Sequence, residues 1–135
     1  QELIPEIKKL YRIDSEDIGT LGSSAGGLIS LYLGWELNNV FTKAACLSPG
    51  IIKGNDNYFQ QLIKVNQPKK LQLAIVNGTS GLDLELQFGV DKLIAYLNEI
   101  NFPKKNLLYW VDEKGSHSPR SWSHQAKDIL LWMYK

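Results

Sequence analysis

The sequence contains a single cysteine, Cys46. A disulfide framework within one chain and a multi-cysteine metal site are therefore both excluded. Cys46 lies in the apolar run AACLS and reads as a small buried hydrophobe. Histidine is scarce too. His117 and His124 stand seven positions apart, without the HxxxH or HExxH spacing that brings two imidazoles to one metal. No excess of charge exists: 15 Lys and Arg against 14 Asp and Glu leave a formal net charge of +1. No broad field is available to attract nucleic acid or an anionic membrane. No apolar run nears the ~18 residues of a membrane span. No stretch reads as a signal peptide, but the chain opens on Gln1, so its compartment stays open.

What is present is a globular composition. Hydrophobic residues make up 44% and charged residues 21% of 135, enough for one domain with a core, spanning residues 1–135. Apolar residues at helical spacing predict a helix over 1–12, followed by the polar break DSED. A short strand is expected over Ile18–Leu21, a turn over Gly22–Gly27 and a helix over Leu28–Leu37. Lys43–Leu47 reads as a second strand, stopped by Ser48-Pro49-Gly50. A short helix is expected within 55–67, a third strand over Leu71–Val76 and a long amphipathic helix through Leu86, Val90, Leu93 and Leu97. Leu107–Val111 is the fourth strand, and Trp122, Ala126, Ile129 and Met133 mark a last helix. Strands alternating with helices imply an α/β class, a three-layer sandwich with a parallel sheet of about four strands and helices on both faces. The near-continuous apolar runs LQLAIV and LLYWV agree, because strands buried on both faces do not alternate.

In such a sheet, functional groups collect at the carboxyl ends of the strands. The loops expected there contain GSSAGG, SPG, NGTSGLD and EKGSHSPRSW. A serine, an acid and a histidine thus fall on three loops that share one edge. Gly22-Ser23-Ser24-Ala25-Gly26 fits G-x-S-x-G, in which a strand reverses sharply into a helix and holds the serine clear of the sheet. The flanking positions are expected to be small because the turn brings backbone segments together. The Ala25 N–H, at the helix start, would face a developing oxyanion. Two other readings stand beside this one: a tight turn without chemistry, and a phosphate-binding loop. Against the latter, the sequence has no GK[ST], no G-x-G-x-x-G and no acid closing the next strand.

A serine hydroxyl needs a base. His117 lies between the fourth strand and the last helix and can reach over the sheet edge, whereas His124 falls within the helix and is expected to face solvent. A carboxylate should orient the imidazole. Asp83 comes first after the third strand, with Glu85 next and Asp112 or Glu113 further off. Asp83 could equally cap the helix that follows it. Trp110, Trp122, Tyr58 and Phe59 could line an apolar or aromatic substrate pocket, or simply belong to the core.

The chain order Ser…Asp…His is that of α/β-hydrolases. GSSAGGLISLYLG, VFTKAACLSPGI, VNGTSG and GSHSPRSW together resemble the Putative esterase family of that fold, which includes esterase D-like, enterochelin-esterase-like and feruloyl-esterase-like enzymes. The resemblance covers nearly the whole chain. It implies a serine hydrolase that cleaves small carboxylic esters without a cofactor or metal, Ser24 as nucleophile and His117 as base. It also implies Ala25 as the oxyanion-hole residue, Ser23 as the small residue before the nucleophile, and Trp122 as the tryptophan following the histidine. The third-loop acid is displaced, since Ser80-Gly81-Leu82 separate Gly78-Thr79 from Asp83. Family domains are about twice as long, so the chain is expected to be the C-terminal half of the fold, with the Ser24 strand at an edge. An uncovered parallel edge invites pairing, so either the missing half is cleaved or omitted, or a complementing N-terminal chain supplies it, or the half-sheet pairs with a second copy of the chain. Half an active site could also make a binding module without turnover.

Overall fold

Strand residues that face two different helix layers in alternation organise the molecule. In the computed structural model, which describes residues 2–54, 56–65 and 70–135, the strands are β1 (Ile18–Ser23), β2 (Phe41–Leu47), β3 (Gln72–Ser80) and β4 (Leu107–Ser116). They form one sheet in the order β1-β2-β3-β4, with every neighbouring pair parallel. The helices are α1 (Leu3–Leu10), α2 (Ala25–Glu36), α3 (Asp56–Val65), α4 (Leu82–Glu99) and α5 (Pro119–Met133). Positions 55, 66 and 67 of the expected short helix lie outside the described residues.

Each connection between successive strands adds the next strand on the same side. Crossovers of one hand therefore bring α2, α3 and α4 to one face. There Leu31, Trp35, Phe59, Ile63, Val90, Leu93 and Leu97 pack on Ala44, Cys46, Leu73 and Ile75. The intervening strand residues Ala45, Leu47, Ala74 and Val76 point the other way, onto Ile129 and Met133 of α5. The expected three layers are present. β1 lies at an edge of the sheet, with Leu21 42% exposed.

Three local expectations need correction. The turn expected over six residues is compressed to Ser24 alone, because β1 runs to Ser23 and α2 begins at Ala25. The third and fourth strands run on through sequences that read as loops. Cross-strand side-chain bonds hold these extensions: Thr79 Oγ1 donates to the Glu113 carbonyl at 2.8 Å and Ser80 Oγ to that of Gly115 at 3.1 Å. The loop expected around His117 shrinks to His117 and Ser118, since α5 starts at Pro119 with Ser118 as its N-cap. Proline at the first helical position and serine before it are strong helix-start signals.

Candidate active site

At the carboxyl end of β1 the chain turns into α2 through one residue. Ser24 has φ 53° and ψ −121°, a region that costs a non-glycine residue on the order of 1–3 kcal/mol. Its backbone is tied down on both sides. Its N–H donates to the Leu47 carbonyl at 2.9 Å, and its carbonyl accepts from Gly27 N at 3.0 Å and Gly50 N at 3.1 Å. The turn is tight enough that a Cβ on Gly22 would sit 2.3 Å from the Gly26 carbonyl oxygen. The expectation that both flanking glycines must be small holds at Gly22 but not at Gly26, where a Cβ would meet nothing within 4 Å. Ser24 is partly exposed and Ala25 exposed, while Ser23 ends β1 beside Leu47. The N–H groups of Ala25 and Gly26, the first two of α2, have no acceptor within the helix. Among the described residues no hydrogen bond holds the Ser24 hydroxyl, and none joins it to His117.

The acid and the histidine meet across two strand ends. Asp83 sits in the first turn of α4, where the helix dipole favours negative charge, and is fully buried. Its side chain makes no cap bond. Instead Oδ1 lies 2.8 Å from His117 Nδ1, and Oδ2 accepts from Gly78 N and Ser48 Oγ, each at 3.0 Å. Gly78 makes room for it, since a Cβ there would lie 2.4 Å from Asp83 Oδ2. A carboxylate only accepts, so the Nδ1 of His117 carries the hydrogen of this bond, and in the neutral ring the lone pair falls on Nε2. The His117 ring stands edge-on to Trp122, with centroids 5.0 Å apart and planes at 85°. The Trp122 indole N–H donates to Ser48 Oγ at 3.0 Å.

Ser48 is the residue that the sequence reading passes over. It is fully buried, has φ 43°, and bridges Asp83 and Trp122. In sequence it reads only as the start of a strand-stopping Ser-Pro-Gly. The other candidates stand apart from this cluster. Glu85 and Glu113 are exposed, and His124 faces solvent from α5 as expected. Asp112 accepts from Lys114 N at 3.0 Å and Gln125 Nε2 at 2.9 Å. Tyr58 and Phe59 line an apolar pocket with Leu28, Ile29 and Tyr32 on the α2–α3 face. Trp110 and Trp122 instead pack against the α5-side core. Cys46 is buried in the larger core, and that burial pushes its thiol up to about 12. Among the described residues no group of His, Cys, Asp and Glu could hold a metal ion, and no helix is long and apolar enough to cross a membrane.

The profile of the family described as Putative esterase matches residues 1–133. No curated protein sequence matches the chain. Among solved structures, the chain is similar to the enterobactin esterase of Shigella flexneri, with a TM-score of 0.82 at 19% identity over 99% of this chain and 35% of that one. It is similar to the S-formylglutathione hydrolase of Staphylococcus aureus, with a TM-score of 0.78 at 20% identity over 99% of this chain and 61% of the other. A ferulic acid esterase gives a TM-score of 0.72 at 14% identity over 98% and 57%. These likenesses show the fold. The chain spans 35% of the length of the enterobactin esterase it matches.

Proposed function

Because the chain belongs to the Putative esterase family, we propose that it carries the nucleophile, acid and base of a serine esterase acting on small carboxylic esters. The observation that carries this reading is the 2.8 Å contact of His117 Nδ1 with a fully buried Asp83, on the sheet edge that also bears a positive-φ serine. In the proposed reaction Ser24 Oγ attacks the ester carbonyl while His117 Nε2 takes its proton. Asp83 holds the Nδ1–H and balances the imidazolium charge. The carbonyl oxygen becomes an oxyanion and meets the Ala25 N–H. As the tetrahedral species collapses, the alcohol departs with the proton from His117, leaving an acyl-serine. Water then attacks the acyl carbonyl, again giving its proton to His117, and the acid leaves as Ser24 recovers its hydrogen. The solved relatives are named for enterobactin, S-formylglutathione and ferulic acid. What carries over is only their common feature, an acyl carbonyl open to nucleophilic attack.

The test is intact-mass measurement after treatment with a fluorophosphonate probe, with Ser24→Ala alongside. The expected outcome is one adduct on the wild type and none on the variant, with the two melting alike. An adduct on both proteins would move the nucleophile elsewhere. No adduct on the wild type would reject turnover by this chain and leave a hydrolase-fold binding module.

A further inference from the structure

We infer that Ser48 is a positioning residue of this site: its hydroxyl holds Asp83 in the rotamer that presents Oδ1 to His117. The inference rests on the esterase reading for its consequence, but its geometry stands independently. An indole N–H can only donate. Trp122 Nε1 therefore occupies a lone pair of Ser48 Oγ, at 3.0 Å. The one hydroxyl hydrogen is left for Asp83 Oδ2, also at 3.0 Å. With Gly78 N–H on the same oxygen, Oδ2 is doubly engaged and Oδ1 is turned to His117. The contact of Trp122 with the His117 ring closes the circuit.

The backbone around Ser48 joins this circuit to the nucleophile. Ser48 N donates to the Val76 carbonyl at 2.7 Å, and two residues on, Gly50 N donates to the Ser24 carbonyl at 3.1 Å. Ile51, 1% exposed, then packs beneath α4, where a Cβ on Gly89 would lie 2.1 Å from the Ile51 carbonyl oxygen. That helix carries Asp83. Residues 48–51 thus tie the serine turn, the acid helix and the base to one short segment. The backbone conformation alone would be met better by glycine, which adopts a φ of 43° without strain.

The variants Ser48→Gly and Trp122→Phe test this in the full chain, read by fluorophosphonate labelling rate and by the proton NMR signal of the His117 Nδ1–H. Ser48→Gly relieves the φ of 43° but leaves the Trp122 N–H without its acceptor; it is expected to label on the order of 10- to 100-fold more slowly and to lose protection of the Nδ1–H against exchange. Trp122→Phe keeps the ring but removes the donor, and should move both readouts the same way by less. The double variant should label no more slowly than Ser48→Gly alone. Wild-type labelling and an unchanged Nδ1–H signal in Ser48→Gly would overturn the inference, as would an additive double variant. Should the wild type take no label, the esterase reading fails, and the Nδ1–H signal alone decides the role of Ser48.

Discussion

The chain places a positive-φ serine at the ends of two adjacent strands and engages the two hydroxyls differently. Ser24 follows β1 with φ 53° and Ser48 follows β2 with φ 43°. Each extends the parallel ladder by one bond, Ser24 N to Leu47 O at 2.9 Å and Ser48 N to Val76 O at 2.7 Å. There the likeness ends. Ser24 is partly exposed, opens a helix, and has a hydroxyl without a partner among the described residues. Ser48 is fully buried and has its hydroxyl engaged from two sides. Backbone strain at a strand end is thus not the mark of a nucleophile. In the proposed reaction the Ser24 hydroxyl is the one left free to meet a substrate, whereas that of Ser48 is engaged by Asp83 and Trp122.

The comparison breaks most sharply at Asp83, which touches the circuit of Ser48 and not the turn of Ser24. In Asp83→Asn the amide can no longer accept from every donor around it, and His117 is free to adopt the wrong tautomer. Fluorophosphonate labelling should fall by about 10³- to 10⁴-fold. Stability should fall by about 1–3 kcal/mol, because buried donors lose an acceptor. Glu85→Gln, at an exposed position of the same helix, should label normally and melt within about 0.5 kcal/mol of wild type. The reverse pattern in the labelling rates would transfer the acid role to Glu85.

The turn of Ser24 can be probed without touching Ser48, through its two glycines. Gly22→Ala drives a Cβ into the Gly26 backbone, 2.3 Å from its oxygen and 2.4 Å from its carbonyl carbon. Neither atom can swing away as a side chain would. Thermal unfolding should show a loss of about 1–3 kcal/mol, accompanied by loss of labelling as Ser24 is displaced. Gly26→Ala enters open space in the first turn of α2. It should be neutral or stabilising by up to about 1 kcal/mol, since alanine favours helix. Equal damage from both changes would show that the turn is looser than its geometry implies.

Much of this was legible in the sequence, for physical reasons that can be named. Strands buried on both faces must be apolar throughout, and LQLAIV meets this with Leu73–Val76 fully buried, whereas LLYWV lies on the edge strand β4 and is only half-buried against the two cores. Parallel strands point all their carboxyl ends one way, so Ser24, Asp83 and His117 could be assigned to one edge before any distance was known. Ser48 escaped because its partners are remote, 35 positions away at Asp83 and 74 at Trp122. Nothing in Ser-Pro-Gly encodes them. The strand extensions through Gly78–Ser80 and Asp112–Ser116 escaped for the same reason. Glycine, serine and charge read locally as loop, and it is the pairing of Gly78 with Asp112 and of Ser80 with Ser116, reinforced by side-chain bonds from Thr79 and Ser80, that makes them strand. The capping alternative for Asp83 was equally sound locally, and it fails because a histidine 34 positions away takes the carboxylate instead.

An effect smaller than the loss of Asp83 or of the Gly22 turn concerns the platform on which both turns stand. Cys46 lies two positions before Ser48 and opposite Gly22 in the β1–β2 register, and burial raises its thiol from 9.0 to about 12. The folded protein therefore keeps the thiol neutral where the unfolded chain ionises it. Above pH 9 the unfolded state binds fewer protons than the native one, so stability declines as pH rises towards 12 and is unaffected below 9. Between pH 8 and pH 10 this contribution is on the order of 1 kcal/mol. Other groups titrate in that range, so the measurement is the difference between wild type and Cys46→Ala in denaturant unfolding. The alanine variant lacks the thiol and has a pH-independent cavity cost. The wild-type advantage should shrink by about that amount over the interval, and a thiol-alkylating reagent at pH 8 should modify the native protein only as it unfolds. Rapid native-state alkylation would mean that the strand beneath the two serines opens locally. The rigid spacing between Ser24 and the Ser48 circuit would then be lost as an explanation for how the site keeps its geometry.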